Sequence, residues 1–189
     1  MVGTAKPRLA LAAPLVVAGV LAGGCLRNVR GPCDTPPPFF VRLGASARVN
    51  PDAQGHPLPT AVELIQLKGL TGFEKQEFAE VFRSPKDALG EEFLRSDELM
   101  VDTGQAVTRW VERDAKASYV AAVGIFRQPS GTTWRAVLPL PLVLSDQCQP
   151  QKGERKGPPT EEDVQIRLML EEFRITADAR PTPIAGRGP

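Results

Sequence analysis

The sequence holds few of the residue types from which most catalytic and metal sites are built. Among its 189 residues there are one histidine, one tyrosine and three cysteines. A Ser-His-Asp or Cys-His triad would have to use His56, which lies in a loop rich in glycine and proline and lacks a neighbouring G-x-S-x-G motif. The cysteine spacing fits no zinc motif. We therefore predict that the chain holds no metal or other cofactor and that His56 is an exposed loop residue.

Two pairs of adjacent acids, Glu91-Glu92 and Glu171-Glu172, are the remaining candidates for hydrolytic chemistry. A glycosidase needs two carboxylates that face each other across a substrate. Adjacent side chains on a helix point apart, so we expect both pairs to be solvated surface. The glycines Gly69, Gly72 and Gly124 do not form a phosphate-binding pattern.

Neither sign of charge is in excess, with 23 basic and 22 acidic side chains. A nucleic-acid-binding domain needs a basic face, so we do not expect nucleic acid as a partner. Without its first 24 residues the chain keeps 165 residues and a formal charge of −1. This length suits one domain with a sizeable core.

The apolar run near the amino terminus is too short to span a bilayer. It extends from Leu9 to Leu21, and a spanning helix needs about 20 apolar residues. Lys6 and Arg8 precede it and small residues follow it, which is the pattern of a secretory signal. Its end, Leu21-Ala22-Gly23-Gly24-Cys25, resembles a lipobox, at which a signal peptide is cleaved and the new terminal cysteine is lipidated.

The lipobox predicts that residues 1–24 are a signal peptide and that Cys25 carries the lipid. Ala22 stands three places before the cysteine, where leucine is usual, so an ordinary signal peptide cut between Ala22 and Cys25 is the alternative. Leu26 follows the cysteine in place of the aspartate that retains lipoproteins in the inner membrane. The resemblance therefore implies the outer membrane, with the domain facing the periplasm.

The mature chain divides into a tether, a domain and a tail. Residues 25–40 contain the lipidated cysteine and a polar segment that ends in Pro36-Pro37-Pro38, which favours a stiff polyproline II spacer. Residues 41–176 are the predicted domain, and residues 177–189 are predicted to be a disordered tail.

Two cysteines remain in the mature chain, Cys33 and Cys148. In an oxidising periplasm they can form a disulfide, or they can remain two free thiols, because the sequence does not show whether they are close in space. Cys148 lies in the polar stretch 145–161, which is rich in proline, glycine and lysine and is predicted to be an exposed loop.

Alternation of apolar and polar residues predicts a mainly β domain. The first predicted strand is residues 41–49. Residues 72–95 are predicted to form a pair of helices. The second of these helices begins at Ser84-Pro85 and contains Phe93 and Leu94. The other predicted strands are 60–67, 98–102, 107–113, 117–126, 133–140 and a single strand within 163–176. This pattern predicts a two-layer β-sandwich with a small inserted helical pair.

The large aromatic residues have two interpretations. Phe73, Phe78, Phe82 and Phe93 recur at roughly helical spacing and are expected to be core residues. Trp110 and Trp134 are either core residues of the sandwich or, if exposed beside a concave surface, a platform for a sugar.

The order of several motifs resembles that of a known family. The segment Val49-Asn50-Pro51-Asp52, followed by Gly55, Pro57 and Pro59 and then by Val62-Glu63-Leu64-Ile65-Gln66-Leu67-Lys68, is similar to the signature of the type VI secretion outer-membrane lipoproteins, the TssJ (SciN, VasD) family. Four later segments fit the same family: Phe73 to Phe78, Ala88 to Leu94, Tyr119 to Val123, and Trp134-Arg135.

The resemblance implies a transthyretin-like β-sandwich with a helical addition and no enzymatic activity. It implies that the lipoprotein anchors the membrane complex of the secretion system by binding the periplasmic carboxy-terminal domain of the inner-membrane protein TssM, near other subunits of the complex. In the family, the loop between the first two strands carries much of that contact. Here that loop is Asn50, Pro51, Asp52, Ala53, Gln54, Gly55, His56, Pro57, Leu58, Pro59 and Thr60.

Two other classes of function stay open at this point. A periplasmic ligand- or sugar-binding lipoprotein can use the same fold, and exposure of Trp110 or Trp134 would favour it. A hydrolase is disfavoured by the single histidine, His56. The loop 50–60 itself is either a partner contact or a plain connection between two strands.

Overall fold

A computed structural model describes Met1, Gly3, residues 33–145, Cys148 and residues 164–179. The lipobox with Cys25, the tether up to residue 32, most of the 145–161 stretch and the tail from residue 180 lie outside the described residues. The predictions for those segments therefore stay predictions. No helix in the described part of the chain is both long and apolar enough to cross a membrane.

Eight strands in the described residues form two four-stranded sheets, in the orders β4-β1-β7-β8 and β3-β2-β5-β6. The strands are β1 Phe39–Ala45, β2 Thr60–Leu67, β3 Phe93–Val101, β4 Ala106–Val111, β5 Tyr119–Gly124, β6 Arg135–Pro139, β7 Val164–Glu171 and β8 Arg174–Ala179. Between β2 and β3 lie two 3-10 turns, Phe73–Lys75 and Gly90–Glu92, and two short helices, α1 Phe78–Arg83 and α2 Pro85–Leu89. The predicted two-layer sandwich with an inserted helical pair is confirmed.

The sheet that contains β2 is buried on both of its faces. Val62 and Leu64 face the other sheet, whereas Ile65 and Leu67, at alternating positions, are also buried. The inserted helical segment covers this outer face, and Phe73 is buried within the same core. A strand covered on both faces needs apolar residues at nearly every position, which the five consecutive buried residues 120–124 of β5 provide.

Aromatic side chains attach the helical segment to the sheet. Trp134 meets Phe73 and Phe78 edge to face, with ring centroids 6.2 and 5.5 Å apart. The neighbouring Arg135 donates hydrogen bonds to the carbonyl oxygens of Phe73 at 2.7 Å and of Glu74 at 3.0 Å. These contacts explain why two helices of six and five residues, too short to be stable alone, hold their place.

Several predicted boundaries and environments are wrong. The single strand predicted within 163–176 is instead a hairpin of β7 and β8, residues 164–179, because Glu172 takes a left-handed φ of 44° and reverses the chain. Phe93 and Leu94 belong to β3, because Gly90, with a φ of 52°, ends the second helix. Phe82 is 56% exposed and stacks on Phe78.

The ordered domain also extends beyond the predicted 41–176. Strand β1 begins at Phe39, within the segment predicted to be tether. Strand β8 continues to Ala179, into the segment predicted to be a disordered tail, because its backbone pairs with β7. Pairing to an existing strand satisfies backbone groups that a free tail would leave to water.

The strand directions separate the two ends of the domain. The β1–β2, β3–β4, β5–β6 and β7–β8 connections all lie at one end, which we call the loop end. The opposite end, which we call the tether end, carries the start of β1 and the preceding residue Cys33. There Cys33 forms a disulfide with Cys148, with Cα atoms 5.5 Å apart, and its backbone N–H donates to the carbonyl of Val143 at 2.9 Å.

Candidate partner-binding loop

The predicted partner-binding loop stands at the loop end, between β1 and β2. Its tip, residues 53–57, is exposed, as is Pro59. Asn50 and Thr60, by contrast, are buried at the two ends of the loop, with only 4% and 1% of their surface exposed. Pro51, Asp52 and Leu58 are partly buried and join the tip to the domain.

Asp52 organises the tip through its carboxylate. Its Oδ1 accepts hydrogen bonds from the backbone N–H groups of Gln54 at 2.9 Å and His56 at 2.8 Å, and its Oδ2 lies 3.2 Å from His56 Nδ1. The Asp52 N–H donates to the His56 carbonyl at 2.8 Å, and Gly55 takes the left-handed φ of 85° that the turn requires. The tip is therefore a small hydrogen-bonded ring, as is usual for aspartate in turns.

The same hydrogen bonds set the acidity of Asp52. The His56 backbone N–H, its imidazole and the Gln54 N–H stabilise the ionised carboxylate, and they lower the pKa of Asp52 below its ordinary value of 3.8. His56 is exposed, with 76% of its side chain open to solvent. The expectation that His56 is an exposed loop residue is confirmed, and the structure adds its bond to Asp52.

Asn50 fixes the loop to its neighbours. Its backbone N–H donates to the Glu172 carbonyl at 2.7 Å, in the β7–β8 turn. Its side-chain Oδ1 accepts from the Arg127 N–H at 2.8 Å, and its Nδ2 lies 3.5 Å from the Ile125 carbonyl. Asn50 also adopts a left-handed φ of 47°, which asparagine tolerates better than most residues. The backbone and the buried side chain of this one residue thus join three connections of the loop end.

The sequence alone indicates where the loop bends but not which distant residues Asn50 binds. An Asn-Pro pair marks a turn, so Asn50-Pro51 locates the bend. The bonds from Asn50 to residues 125 and 127 had no such signal, because they join segments far apart in the chain.

Of the other candidate residues, Trp134 and Glu92 make hydrogen bonds within the fold, and Trp110 is exposed on a strand. Trp134 is 2% exposed, and its indole N–H donates to the Gly131 carbonyl at 2.8 Å. Trp110, 54% exposed on β4, is not among the residues that line a cavity of about 90 Å³ beside Cys33 at the tether end. Glu92 was expected on the solvated surface, but it is half-buried and its carboxylate accepts from the Gly72 N–H at 2.9 Å. Among the described residues, no cluster of three histidine, cysteine, aspartate or glutamate side chains could hold a metal ion.

The fold matches solved structures of type VI secretion lipoproteins. TssJ1 from Pseudomonas aeruginosa superposes with a TM-score of 0.60 at 23% identity, over 78% of this chain and 99% of that one. The Serratia marcescens Lip, a membrane-bound component of the type VI secretion system, gives 0.58 at 20% identity, over 77% and 99%. A structure described as the T6SS protein TssM C-terminal domain from EAEC gives 0.56 at 18% identity, over 76% and 98%. These identities establish the fold alone, which is a two-layer β-sandwich.

The sequence then identifies the family. Residues 39–170 match the family described as type VI secretion lipoprotein, VasD, EvfM, TssJ, VC_A0113, and the chain belongs to this family. Its members are structural lipoproteins of the secretion apparatus and not enzymes. No curated protein sequence matches the chain significantly.

The role of Asn50 predicts a graded loss of stability. Asn50→Gly removes the side-chain hydrogen bonds and keeps the backbone relaxed, so we expect unfolding to become easier by about 1–3 kcal/mol. Asn50→Ala adds the cost of a left-handed alanine, about 1 kcal/mol more. Urea denaturation measures both. Equal stabilities of the two variants would contradict the strain argument, and a wild-type value for Asn50→Gly would contradict the hydrogen-bond argument.

The lowered pKa of Asp52 predicts how the tip responds to acid. A carboxylate whose pKa is lower in the folded protein stabilises the fold above its unfolded pKa, and this contribution disappears as the pH falls through the lower folded value. The ring should therefore stay closed at neutral pH and open only in acid. An NMR titration of the Gln54 and His56 amides should give a midpoint below 3.8. A midpoint above that value in the wild type, or one unchanged in Asp52→Asn, would refute the assignment.

Proposed function

We propose that this chain is an outer-membrane lipoprotein, anchored by a lipid on Cys25, that faces the periplasm and binds the periplasmic carboxy-terminal domain of TssM. In this way it fastens the type VI secretion membrane complex, with its other subunits, to the outer membrane. The contact surface is the loop 50–60, and the residues that touch the partner are those of its exposed tip, 53–57.

The preorganised tip is the observation that carries this proposal. The Asp52 carboxylate closes the tip with two short backbone hydrogen bonds, and Pro57 and Pro59 restrict the chain on its far side. A loop that is already ordered loses little entropy when it binds, so more of its contact energy appears as affinity.

The arrangement of the two ends of the domain supports the same function. The predicted lipid anchor precedes Cys33 at the tether end, while the tip stands at the loop end. An anchor at one end and a rigid loop at the other suit a protein that must hold a membrane on one side and a periplasmic partner on the other. One of the solved structures that resemble this chain is described as the TssM C-terminal domain from EAEC. This likeness also favours TssM as the partner.

Exposure of Trp110 favours a second candidate, a periplasmic ligand- or sugar-binding lipoprotein. Exposed tryptophans often form the platform on which a sugar ring stacks. Here Trp110 lies on β4, an edge strand, and is not among the residues that line the cavity near Cys33. We rank this candidate second because a sugar site needs polar groups that converge around the platform.

The loop assignment predicts a selective loss of binding. Replacing residues 53–57 with a Gly/Ser segment, while Asp52 and Leu58 are kept, removes the contact surface and its preorganisation but leaves the anchoring bonds of Asn50 intact. We expect saturable binding to the TssM periplasmic domain, measured by calorimetry, to be lost without loss of folding.

A matched control is the replacement of Ala115-Lys116, an exposed turn at the tether end, with Gly-Ser. This variant should bind TssM as the wild type does. Full binding by the 53–57 variant would refute the loop assignment. Failure of the folded wild-type domain to bind TssM at all would instead favour the ligand-binding candidate.

The lipid anchor makes a separate prediction. In Cys25→Ala the acceptor thiol is missing, so labelling with radioactive palmitate should disappear and the protein should move from the outer-membrane fraction to the soluble periplasmic fraction. Cys33→Ser, which changes a cysteine of the disulfide instead, is the matched control and should keep the label. Membrane attachment and acyl labelling that survive in Cys25→Ala would contradict the anchor.

A further inference from the structure

We propose that the tether end of the domain is a membrane-facing surface that rests on the phospholipid bilayer, with Trp110 and Leu142 at the level of the headgroups. This inference rests on the lipid anchor at Cys25 that belongs to the proposed function. It adds a second attachment, made by the folded domain itself, and it gives Trp110 a role.

The length of the free tether requires the tether end to stay near the membrane. Cys33 is fixed to the domain by its disulfide to Cys148 and by the bond from its N–H to the Val143 carbonyl. At most seven residues, 26–32, therefore separate the lipidated cysteine from the first residue attached to the domain. Eight Cα steps from Cys25 to Cys33 span at most about 29 Å when fully extended. Without the fixed point at Cys33, the free chain would continue to the start of β1 at Phe39.

Two large apolar side chains are exposed at this same end. Trp110 is paired with Phe40, the second residue of β1, and 54% of it is exposed. Leu142, 67% exposed, directly precedes Val143, whose carbonyl holds Cys33. An exposed tryptophan and leucine beside a lipid anchor match the preference of amphipathic aromatic and apolar side chains for the bilayer interface.

Positive charge lies next to these apolar residues. A cavity of about 90 Å³ opens beside Cys33, and its lining includes Pro36, Arg113, Lys116 and Leu142. The half-buried guanidinium of Arg113 donates hydrogen bonds to the carbonyl oxygens of Ala117 and Pro141. These acceptors are uncharged, so they do not neutralise its positive charge. Phospholipid phosphates are the anions that a bilayer presents at this depth, and basic side chains attract them.

Acidic side chains lie at this end as well. Glu112, adjacent to Arg113, pairs with Arg95 at 3.0 Å, Asp114 follows Arg113, and the exposed Asp34 follows Cys33. The membrane-facing surface thus combines apolar side chains that can enter the headgroup region with cations that can meet phosphates. Strand β1 starts from this surface and rises about 20 Å toward the loop end. A domain that rests on the membrane in this way presents residues 53–57 to the periplasm.

The test uses native tryptophan fluorescence. The mature chain from Cys25 is coupled through that thiol to a maleimide phospholipid in phosphatidylethanolamine–phosphatidylglycerol vesicles, with or without bromine on the acyl chains near the headgroups. The coupling is selective, because the other two of the three cysteines form the disulfide. It also replaces the natural anchor, so the result does not depend on lipidation in the cell. Binding of the TssM domain is scored separately.

We expect brominated lipid to remove most of the Trp110 emission, while Trp134, only 2% exposed, supplies an unquenched reference. Trp110→Phe should abolish the quenched component. Leu142→Asp should weaken the quenching, whereas Met100→Asp, which changes an apolar residue 55% exposed near the loop end, should not. The double variant Cys33→Ser, Cys148→Ser lengthens the free tether and should reduce the quenching.

Equal Trp110 emission in brominated and plain vesicles, with the chain still coupled, would overturn the membrane-facing surface, whatever the TssM titration gives. Equal effects of Leu142→Asp and Met100→Asp would also overturn it, because the quenching would then not depend on which end of the domain is altered. Quenching without TssM binding would leave this inference standing and would refute the proposed function.

Discussion

Burial of both faces of the β3-β2-β5-β6 sheet is the constraint on which most of this structure depends. Ile65 and Leu67 turn away from the sandwich core and are nevertheless fully buried. Something must cover them, and the short helical segment between β2 and β3 does so, held by Trp134 and Arg135. The helical addition is therefore part of the core. Its burial explains why the domain can keep two helices of only six and five residues.

The sequence predicts the elements whose causes are local. Period-two alternation locates most of the strands, and Ser84-Pro85 correctly starts the second helix, where the Ser84 hydroxyl accepts from the Asp87 N–H. The Asn50-Pro51 pair locates the candidate loop. Each of these signals acts within a few residues, so one sequence is enough to detect it.

Errors arise where the deciding contact is distant in the chain. Phe82 has the spacing of a core residue, but Phe73 and Phe78 make the contacts with Trp134, and Phe82 stacks on Phe78 with 56% of its surface exposed. The reversal at Glu172 lacks glycine, and it is supported by Asn50, which donates to the Glu172 carbonyl from the other side of the loop end. The burial of Asn50 likewise depends on hydrogen bonds to residues 125 and 127. This burial distinguishes Asn50, which holds the loop in place, from the exposed residues of the tip. Such contacts exist only after the sheets have assembled.

The position of β1 in its sheet has a consequence for how the domain folds. β1 lies between β4 and β7, and its pairing with β7 is parallel. The first strand of the described residues therefore completes its hydrogen bonds only with a strand more than 100 residues later in the sequence, since Leu43 pairs with Leu168. A chain that crosses a membrane amino terminus first would therefore deliver β1 early and leave one of its edges open until the final hairpin arrives. Pairings between such distant segments form slowly and expose unpaired backbone in the meantime. During that interval the open edge of β1 is a site at which the unfinished domain can aggregate.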